Sequence, residues 1–288
     1  MDVTLKKKAK LHIILKGEVR KMLIGTINLH GGIISELNLL RLPKILKDKY
    51  KNDYVEYLRK GIVKMINNKG YDIIACQEMP YEYFSKIQDE LDIIEYKIYP
   101  EIGYFKYAQC ISTFIVKIDL NCKSIDLESG NDYKNKFSKI LVRDDIEIVN
   151  VHSPKERDVC EQIVNNLNIN NKIILLGDFN AAKENQVIDS SKRDDKINVE
   201  NKRFIEAIEM TPDGIKNFYE IGTDDQYTYF TTKVKNKIDH VFFSKGLYNY
   251  LNSAEVILNK NINVNFSEDI ENGFTDHSML EFNIDLEY

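Results

Sequence analysis

Short apolar runs recur along the whole chain, and their alternation with helical segments restricts the folds that it can adopt. These runs are rich in β-branched and aromatic residues and are bounded by polar turns, which is the pattern of β-strands. The predicted strands are Leu23–Asn28, Tyr71–Cys76, Ile111–Val116, Ile146–Val151, Lys172–Leu176, Ile238–Ser244 and Met279–Leu286.

Helical periodicity lies between these strands in the first two-thirds of the chain, and strands dominate the last third. The predicted helices are Tyr54–Asn67, Tyr81–Leu91, Val159–Leu167 and Arg203–Ile208. This mixture favours two sheets packed on each other with helices outside, a layered α/β sandwich. The polar, nearly aperiodic stretch Ala181–Lys202 is predicted to be a surface loop. Nothing resembles an interdomain linker, so one catalytic domain is expected over roughly residues 22–288.

Charge is distributed unevenly over the 288 residues. Residues 1–21 contain seven basic and two acidic side chains, a net charge of +5, whereas the whole chain carries −5, so the remainder carries about −10. A strongly basic nucleic-acid footprint is therefore absent, although local basic patches and a bound cation still allow an acidic enzyme to bind a polyanion. Residues 1–21 precede Met22 at the first predicted strand, and they are interpreted as a flexible arm, as the result of an upstream start site, or as a nucleic-acid-binding arm.

The four cysteines are scattered without a CxxC motif, which predicts neither a zinc cluster nor a disulfide framework. Reduced thiols in the cytoplasm are the expected state. The apolar stretch from Leu11 to Leu15 is too short for a signal sequence, and no window approaches the 18 apolar residues of a membrane span. A monomer is expected.

Polar residues follow the apolar part of six segments, at the predicted strand ends. The segments are Thr26-Ile27-Asn28, Ala75-Cys76-Gln77-Glu78, Asn150-Val151-His152-Ser153, Leu176-Gly177-Asp178-Phe179-Asn180, Lys237-Ile238-Asp239-His240 and Thr275-Asp276-His277-Ser278. If the strands are neighbours, eight side chains converge at one rim of the sheets, where a rigid scaffold can hold catalytic groups. Taken singly, each of these residues fits a turn or a strand-end cap as well as a function.

Such a set of groups suits phosphodiester hydrolysis. The scissile phosphate repels hydroxide, so a divalent cation with oxygen ligands such as Glu78 and Asp276 must offset its charge. A carboxylate or an imidazole must orient or deprotonate water. Donors such as His152, His277 and the amide of Asn180 must stabilise the charge that develops on the phosphate.

The order of these motifs resembles that of the endonuclease/exonuclease/phosphatase (DNase I-like) superfamily, from about Leu23 to the C-terminus. Its most specific parts are GDFN (residues 177–180) and TDHS (residues 275–278), with IDH (residues 238–240) between them. The resemblance implies a four-layered α/β sandwich of two packed sheets, and Mg²⁺ or Mn²⁺ as the cofactor.

The resemblance also implies roles for single residues. Glu78 corresponds to the principal metal ligand, with Asn28 and Asp276 completing the metal and phosphate shell. Asp178 corresponds to the carboxylate that orients or activates water, and Asn180 to the amide that holds the phosphate. Asp239 corresponds to the carboxylate that fixes His277, which contacts the phosphate or assists proton transfer. Either Asp178 or His277 is the base, and His240 is expected to be a supporting or packing residue.

The histidine at position 152 separates branches of this superfamily. Abasic-site endonucleases similar to exonuclease III usually carry Tyr near this strand end, whereas DNase I-like, sphingomyelinase-like and deadenylase-like branches carry His. In DNase I this His can protonate the leaving oxygen. The chain departs from the family in having Ile27 rather than an aromatic residue before Asn28, and from DNase I relatives in having no obvious disulfide pair.

The sequence therefore predicts a metal-dependent nuclease acting on DNA or RNA, with nucleic acid bound as substrate by Asn28, Asn180 and His152. Two alternatives remain open. A phospholipid phosphodiesterase (sphingomyelinase-like) or an inositol-phosphate phosphatase would use the same site. A catalytically inactive binding module would be expected to have lost metal or base residues, which this sequence retains.

Overall fold

The computed structural model describes residues 20–29, 54–80, 84–100, 110–127, 135–154, 157–183, 187–189, 195–210, 214–230, 234–263, 275 and 277–286. Within them, two six-stranded sheets pack face to face. The first sheet contains β1 (Arg20–Asn28), β2 (Ile73–Pro80), β3 (Tyr96–Tyr99), β4 (Cys110–Lys117), β14 (Val256–Asn259) and β15 (Met279–Leu286). The second contains β5 (Cys122–Ile125), β6 (Phe137–Val142), β7 (Ile146–His152), β8 (Lys172–Asp178), β10 (Phe218–Glu220) and β13 (Asp239–Ser244).

Both sheets are mixed and have the same arrangement of parallel and antiparallel pairs. The first runs in the order β14-β15-β1-β2-β4-β3 and the second in the order β10-β13-β8-β7-β6-β5. In each, one central pair is parallel, β1 with β2 and β7 with β8, and the other pairs are antiparallel. Parallel neighbours end at the same edge, so the carboxyl ends of two strands meet in each sheet.

In the described parts of the chain, four α-helices cover the outer faces of the sheets. They are α1 (Tyr54–Lys69), α2 (Phe84–Ile93), α3 (Arg157–Asn165) and α4 (Asp195–Glu209). Buried residues of α1 and α2, such as Ile62 and Leu91, join one apolar cluster with the first sheet. Residues of α3 and α4, such as Cys160 and Phe204, join another with the second sheet. The predicted four-layered α/β sandwich is thus confirmed.

The core between the sheets explains why the central strands are almost wholly apolar. It combines Met22 and Phe114 of the first sheet with Ile148, Ile174 and Phe243 of the second. A strand covered on both faces loses the apolar–polar alternation of a half-exposed strand. This packing brings the carboxyl ends of β1 and β2 against those of β7 and β8.

The prediction of a surface loop over Ala181–Lys202 was wrong in part, because this range also contains regular structure. It contains strand β9 (Val187–Asp189) and the first half of α4. Strand β9 pairs with β12 (Val234–Asn236), which pairs with β11 (Tyr229–Phe230), and these form a small third sheet. The sequence of the first half of α4 is mostly polar, and Phe204, Ile205 and Ile208 in its second half pack against the second sheet.

A 3₁₀ helix spans Lys245–Tyr250. Residues 1–19 of the predicted arm lie outside the described residues, while Arg20 and Lys21 begin β1. All four cysteines are free, as predicted. Among the described helices, none has the length and apolar character needed to cross a membrane.

Candidate active site

The predicted site residues converge at one rim of the two sheets. Asn28 ends β1, His152 ends β7 and Asp178 ends β8, whereas Asp239 begins the antiparallel strand β13 at the same edge. The register of the strands agrees with this convergence, because His152 of β7 and Asp239 of β13 both lie opposite Asp178 of β8. Seven of the eight predicted side chains are described, and hydrogen bonds or close contacts join them in one cluster. Asp276 lies outside the described residues.

An amide and two carboxylates connect the two sheets at this rim. The Nδ2 group of Asn28 donates a hydrogen bond of 2.8 Å to Oδ2 of Asp178 and lies 3.5 Å from Oε1 of Glu78. Glu78 lies in a bulge of β2 between Cys76 and Met79 and has a φ of 52°. A bulge re-aims a side chain relative to the regular strand, and bulges are common beside active sites. Glu78 is the partly exposed residue of an otherwise buried strand.

His152 lies between Glu78 and a lysine that the sequence analysis did not predict. Its Nε2 atom lies 3.3 Å from Oε1 of Glu78, and its Nδ1 atom lies 3.0 Å from Nζ of Lys136. Burial lowers the pKa of His152 to about 4; the Glu78 carboxylate opposes this shift and the Lys136 ammonium adds to it. The ring is therefore neutral at pH 7.

The turn after β8 explains the GDFN motif. The backbone N–H of Asn180 donates a 2.7 Å hydrogen bond to Oδ1 of Asp178, and Asn180 has a φ of 51°. Its side-chain amide donates to the carbonyl of Ser153 at 3.1 Å. Gly177 has a φ of 134°, and a Cβ there would lie 2.0 Å from the carbonyl oxygen of Val151, so only glycine fits.

Asp178 is buried in a group of acidic side chains. Burial and, to a smaller extent, the nearby Asp239 carboxylate raise the pKa of its carboxyl to about 7, although the hydrogen bond from Asn28 opposes the shift. Like charges held together in a buried site are costly unless an opposite charge is present. This part of the rim therefore favours the binding of a cation.

Asp239 and His277 form a buried pair. The Nδ1 atom of His277 lies 2.9 Å from Oδ2 of Asp239, and the ring centroid of Tyr229 lies 5.1 Å from that of His277. The hydroxyl of Thr275 accepts a hydrogen bond from the backbone N–H of His277 and donates one of 2.7 Å to the carbonyl of Asn28. Thr275 and His277 are thereby fixed against the end of β1.

A buried amide network lies behind the rim. The Nε2 group of Gln77 donates to Oδ1 of Asn150 at 2.6 Å and to the hydroxyl of Thr26 at 3.0 Å. The Nδ2 group of Asn150 donates to the carbonyls of Cys76 and Thr113. The network joins β2 and β4 of the first sheet to β7 of the second, directly beneath Glu78 and His152. Gln77 and Asn150 lie in the strand-end segments identified from the sequence, but no local pattern predicts a role for them.

The donor set fits a hard divalent cation. One ligand atom each of Asp178, Asp239 and His277 lies within 4.8 Å of the others. The Oδ1 atom of Asp239 is buried without a hydrogen-bond partner, which is unusual for a buried carboxylate oxygen. With Glu78 and the carbonyl of the Asn28 amide nearby, the rim supplies the oxygen ligands that Mg²⁺ and Mn²⁺ prefer.

The model of the endonuclease/exonuclease/phosphatase family matches residues 25–277. This span covers most of the chain and contains every residue of the rim described above. The chain belongs to the endonuclease/exonuclease/phosphatase family, as the motif order indicated. No curated protein matches the sequence significantly.

Solved structures with the same fold are distant in sequence. The endonuclease domain of TRAS1, a telomere-specific non-LTR retrotransposon, is 14% identical with a TM-score of 0.56, covering 93% of this chain and 100% of that one. ANGEL2, a 2′,3′-cyclic phosphatase, is 11% identical with a TM-score of 0.61, covering 96% and 100%. The 3′ phosphatase NExo from Neisseria, bound to a product DNA hairpin, is 15% identical with a TM-score of 0.57, covering 92% and 100%. At these identities the likeness establishes a shared fold, and the chain is a phosphoesterase of this family.

Proposed function

We propose that this protein is a Mg²⁺- or Mn²⁺-dependent nuclease that hydrolyses phosphodiester bonds in DNA or RNA. One observation carries the proposal: contacts of 2.8 to 3.5 Å connect Asn28, Glu78, His152 and Asp178 at a single rim. The Asp239–His277 pair lies at the same rim, because ligand atoms of Asp178, Asp239 and His277 lie within 4.8 Å of one another. A reaction with a very high uncatalysed barrier needs several groups acting together on one phosphate. The endonuclease domain and the DNA-bound 3′ phosphatase among the similar structures support a nucleic-acid substrate.

In this proposal Glu78, Asn28 and Asp276 are the direct ligands of the cation, and the acidic group around Asp178, to which Asn28 donates a hydrogen bond, adds negative charge beside them. When bound, the cation offsets the charge of the phosphate and polarises its oxygens. Glu78 suits this purpose because it is partly exposed and is fixed in direction by the bulge in β2.

The remaining residues act on water and on the phosphate. Asp178 accepts hydrogen bonds at both of its oxygens, which fixes the carboxylate for orienting an attacking water. His277 presents Nδ1 to Asp239, so Nε2 is the nitrogen that meets the phosphate or takes part in proton transfer. His152 and the amide of Asn180 donate to phosphate oxygens as charge develops on them. Asn28 also contacts the phosphate.

The test measures the activity of the purified 288-residue chain on several substrates, each with different metals. Supercoiled plasmid, single-stranded DNA, RNA, sphingomyelin vesicles and inositol phosphates are each incubated with Mg²⁺, Mn²⁺ or EDTA. We expect cleavage of a polynucleotide that requires the cation and is lost in an Asp178→Asn variant purified in the same way. An Asp145→Asn variant, which changes a half-exposed aspartate paired with Lys172, controls for the substitution itself.

The results of this test distinguish a nuclease from a lipid or inositol-phosphate enzyme. Turnover of sphingomyelin or of inositol phosphates without any cleavage of a polynucleotide would replace the nuclease by a lipid or inositol-phosphate enzyme. Cleavage that persists unchanged in the Asp178→Asn preparation would show a contaminating nuclease and reject the proposed site.

A further inference from the structure

Lys136 lies beside the rim through the pairing of β6 with β7. The two strands are antiparallel with Phe137 opposite Val151, so the next residues outward are Lys136 and His152. The backbone is anchored to β4 at this point, because Ser112 donates a hydrogen bond to the carbonyl of Lys136 and Asn135 donates one to the carbonyl of Cys110. The lysine is thereby held where its Nζ atom lies 3.0 Å from Nδ1 of His152.

The hydrogen-bonding chemistry of these two side chains determines the tautomer of the imidazole. A lysine ammonium has three donors and no acceptor. The Nδ1 atom of His152 must therefore accept the hydrogen bond from Lys136, which leaves the ring proton on Nε2. That nitrogen lies 3.3 Å from Oε1 of Glu78, a carboxylate oxygen, which is an acceptor. Both ring nitrogens then have a partner of the matching kind.

We propose that Lys136 is a positioning residue that holds His152 in the Nε2–H tautomer, aimed at Glu78 and at the substrate phosphate. The inference rests on the proposed function for its catalytic consequence, but the tautomer is a property of the protein itself. A proton on Nδ1 would point at the ammonium group 3.0 Å away, so two donors would face each other. In this tautomer the ring N–H on the side of Glu78 and of the substrate phosphate is the one at Nε2.

The first test reads the tautomer directly, without turnover. The chain has only five histidines, so ring ¹⁵N labelling and a His152→Gln variant assign the signals of His152 in long-range ¹H–¹⁵N spectra. At neutral pH, in EDTA and again with Mg²⁺, we expect Nε2 to show the protonated signature and Nδ1 the acceptor signature. Lys136→Met should introduce the Nδ1–H form, whereas Lys136→Arg, which keeps the donors, should restore the original pattern.

A matched control lies on the same strand. Lys139 pairs with Glu147 and is partly buried, and no described contact joins it to the site. Lys139→Met should leave the His152 signals unchanged. A predominant Nδ1–H form in the parent protein, or a tautomer that Lys136→Met does not alter, would overturn the proposal.

The second test measures turnover of whichever substrate the parent protein cleaves. Replacing a residue that orients a group of this kind typically costs about 10- to 100-fold in activity. We expect Lys136→Met to lower kcat by about that factor, with recovery in Lys136→Arg and parent activity in Lys139→Met. An unchanged kcat in Lys136→Met overturns the role of Lys136 in the reaction. If no substrate is turned over by the parent protein, the proposed function fails while the spectra still decide the tautomer.

Discussion

His277 and Asp239 join the two sheets at the rim of the candidate site, with Nδ1 of the histidine 2.9 Å from Oδ2 of the aspartate. Asp239 begins β13 in the second sheet, and His277 lies two residues before β15 in the first. Both side chains are almost fully buried. The pair therefore fixes one tautomer and one orientation of the imidazole, and it depends on the packing of the sheets.

Asp239→Asn tests this orientation. The new amide can turn an N–H toward Nδ1, which would place the histidine proton on Nε2 and change the tautomer that the reaction uses. We expect kcat to fall by about 10²- to 10⁴-fold, as for the loss of a positioned acid–base group. Steady-state kinetics beside the Asp145→Asn control measure the loss. A variant that folds normally and keeps the parent kcat would show that the pair has no part in the reaction.

Glu78→Gln tests the cation site. The substitution keeps the size of the side chain but removes the negative charge, and divalent cations prefer charged carboxylate ligands. We expect Mn²⁺ affinity, measured by calorimetric titration without substrate, to fall by about tenfold or more. Glu255→Gln changes an exposed glutamate outside the site and should leave the affinity unchanged. Equal affinities in the two variants would place the cation elsewhere.

Much of this architecture could be predicted from the sequence because its signals are local. The continuous apolar runs of β1, β7 and β8 follow from burial on both faces. The polar residue at each strand end was visible for the same reason, since Asn28, His152 and Asp178 each follow such a run. The order of the motifs, which resembles that of the family, then connected positions that are 150 residues apart in the chain, such as Asn28 and Asp178.

The features that were missed depend on contacts between distant segments. Lys136 meets His152 only through the register of β6 against β7, and no local pattern distinguishes it from the other lysines. Strand β9 is three residues long and exists through its pairing with β12. The polar first half of α4 has too little periodicity to indicate a helix, although its second half packs on the second sheet.

The stability of the metal-free protein should depend on the ionisation of Asp178. Because the folded pKa is raised to about 7 from 3.8, the folded state binds the proton more tightly than the unfolded chain. The protonated carboxyl is therefore tolerated at low pH, and stability is lost as the pH rises from about 4 through about 7. The change amounts to at most about 4 kcal/mol for a shift of this size.

Asp178→Asn removes this dependence. In EDTA, the stability of the variant relative to the parent should increase between pH 4 and pH 8, since the amide cannot ionise. Urea unfolding of both proteins at several pH values within that range measures the difference. A difference in unfolding free energy that stays constant with pH would show that Asp178 titrates normally. Added Mg²⁺ should recover stability in the parent at pH 8, because binding to the folded state alone stabilises it.

A buried charge cluster next to the site should make a large contribution to stability. Oε1 of Glu220 lies 2.6 Å from Nζ of Lys237 and 2.8 Å from Nδ1 of His240, and its Oε2 lies 2.8 Å from Nζ of Lys183. Burial opposes ionisation of Glu220, but His240 and Lys237 hold the pKa of its carboxyl well below the usual range. Nε2 of His240 lies 2.8 Å from the carbonyl of Ala181, just after the GDFN turn. His240 is thus the supporting residue that the sequence suggested.

Lys237→Met tests the contribution of this cluster. The substitution leaves Glu220 buried with fewer positive neighbours, and breaking a buried ion pair from one side costs about 3–5 kcal/mol. We expect the free energy of unfolding to fall by an amount near the lower end of this range, because Lys183 and His240 remain next to Glu220. Lys172→Met removes a lysine from a half-exposed pair with Asp145, which should cost no more than about 1 kcal/mol. Urea unfolding at pH 7 compares the two variants. Equal losses would show that the buried cluster stabilises the fold no more than an ion pair at the surface does.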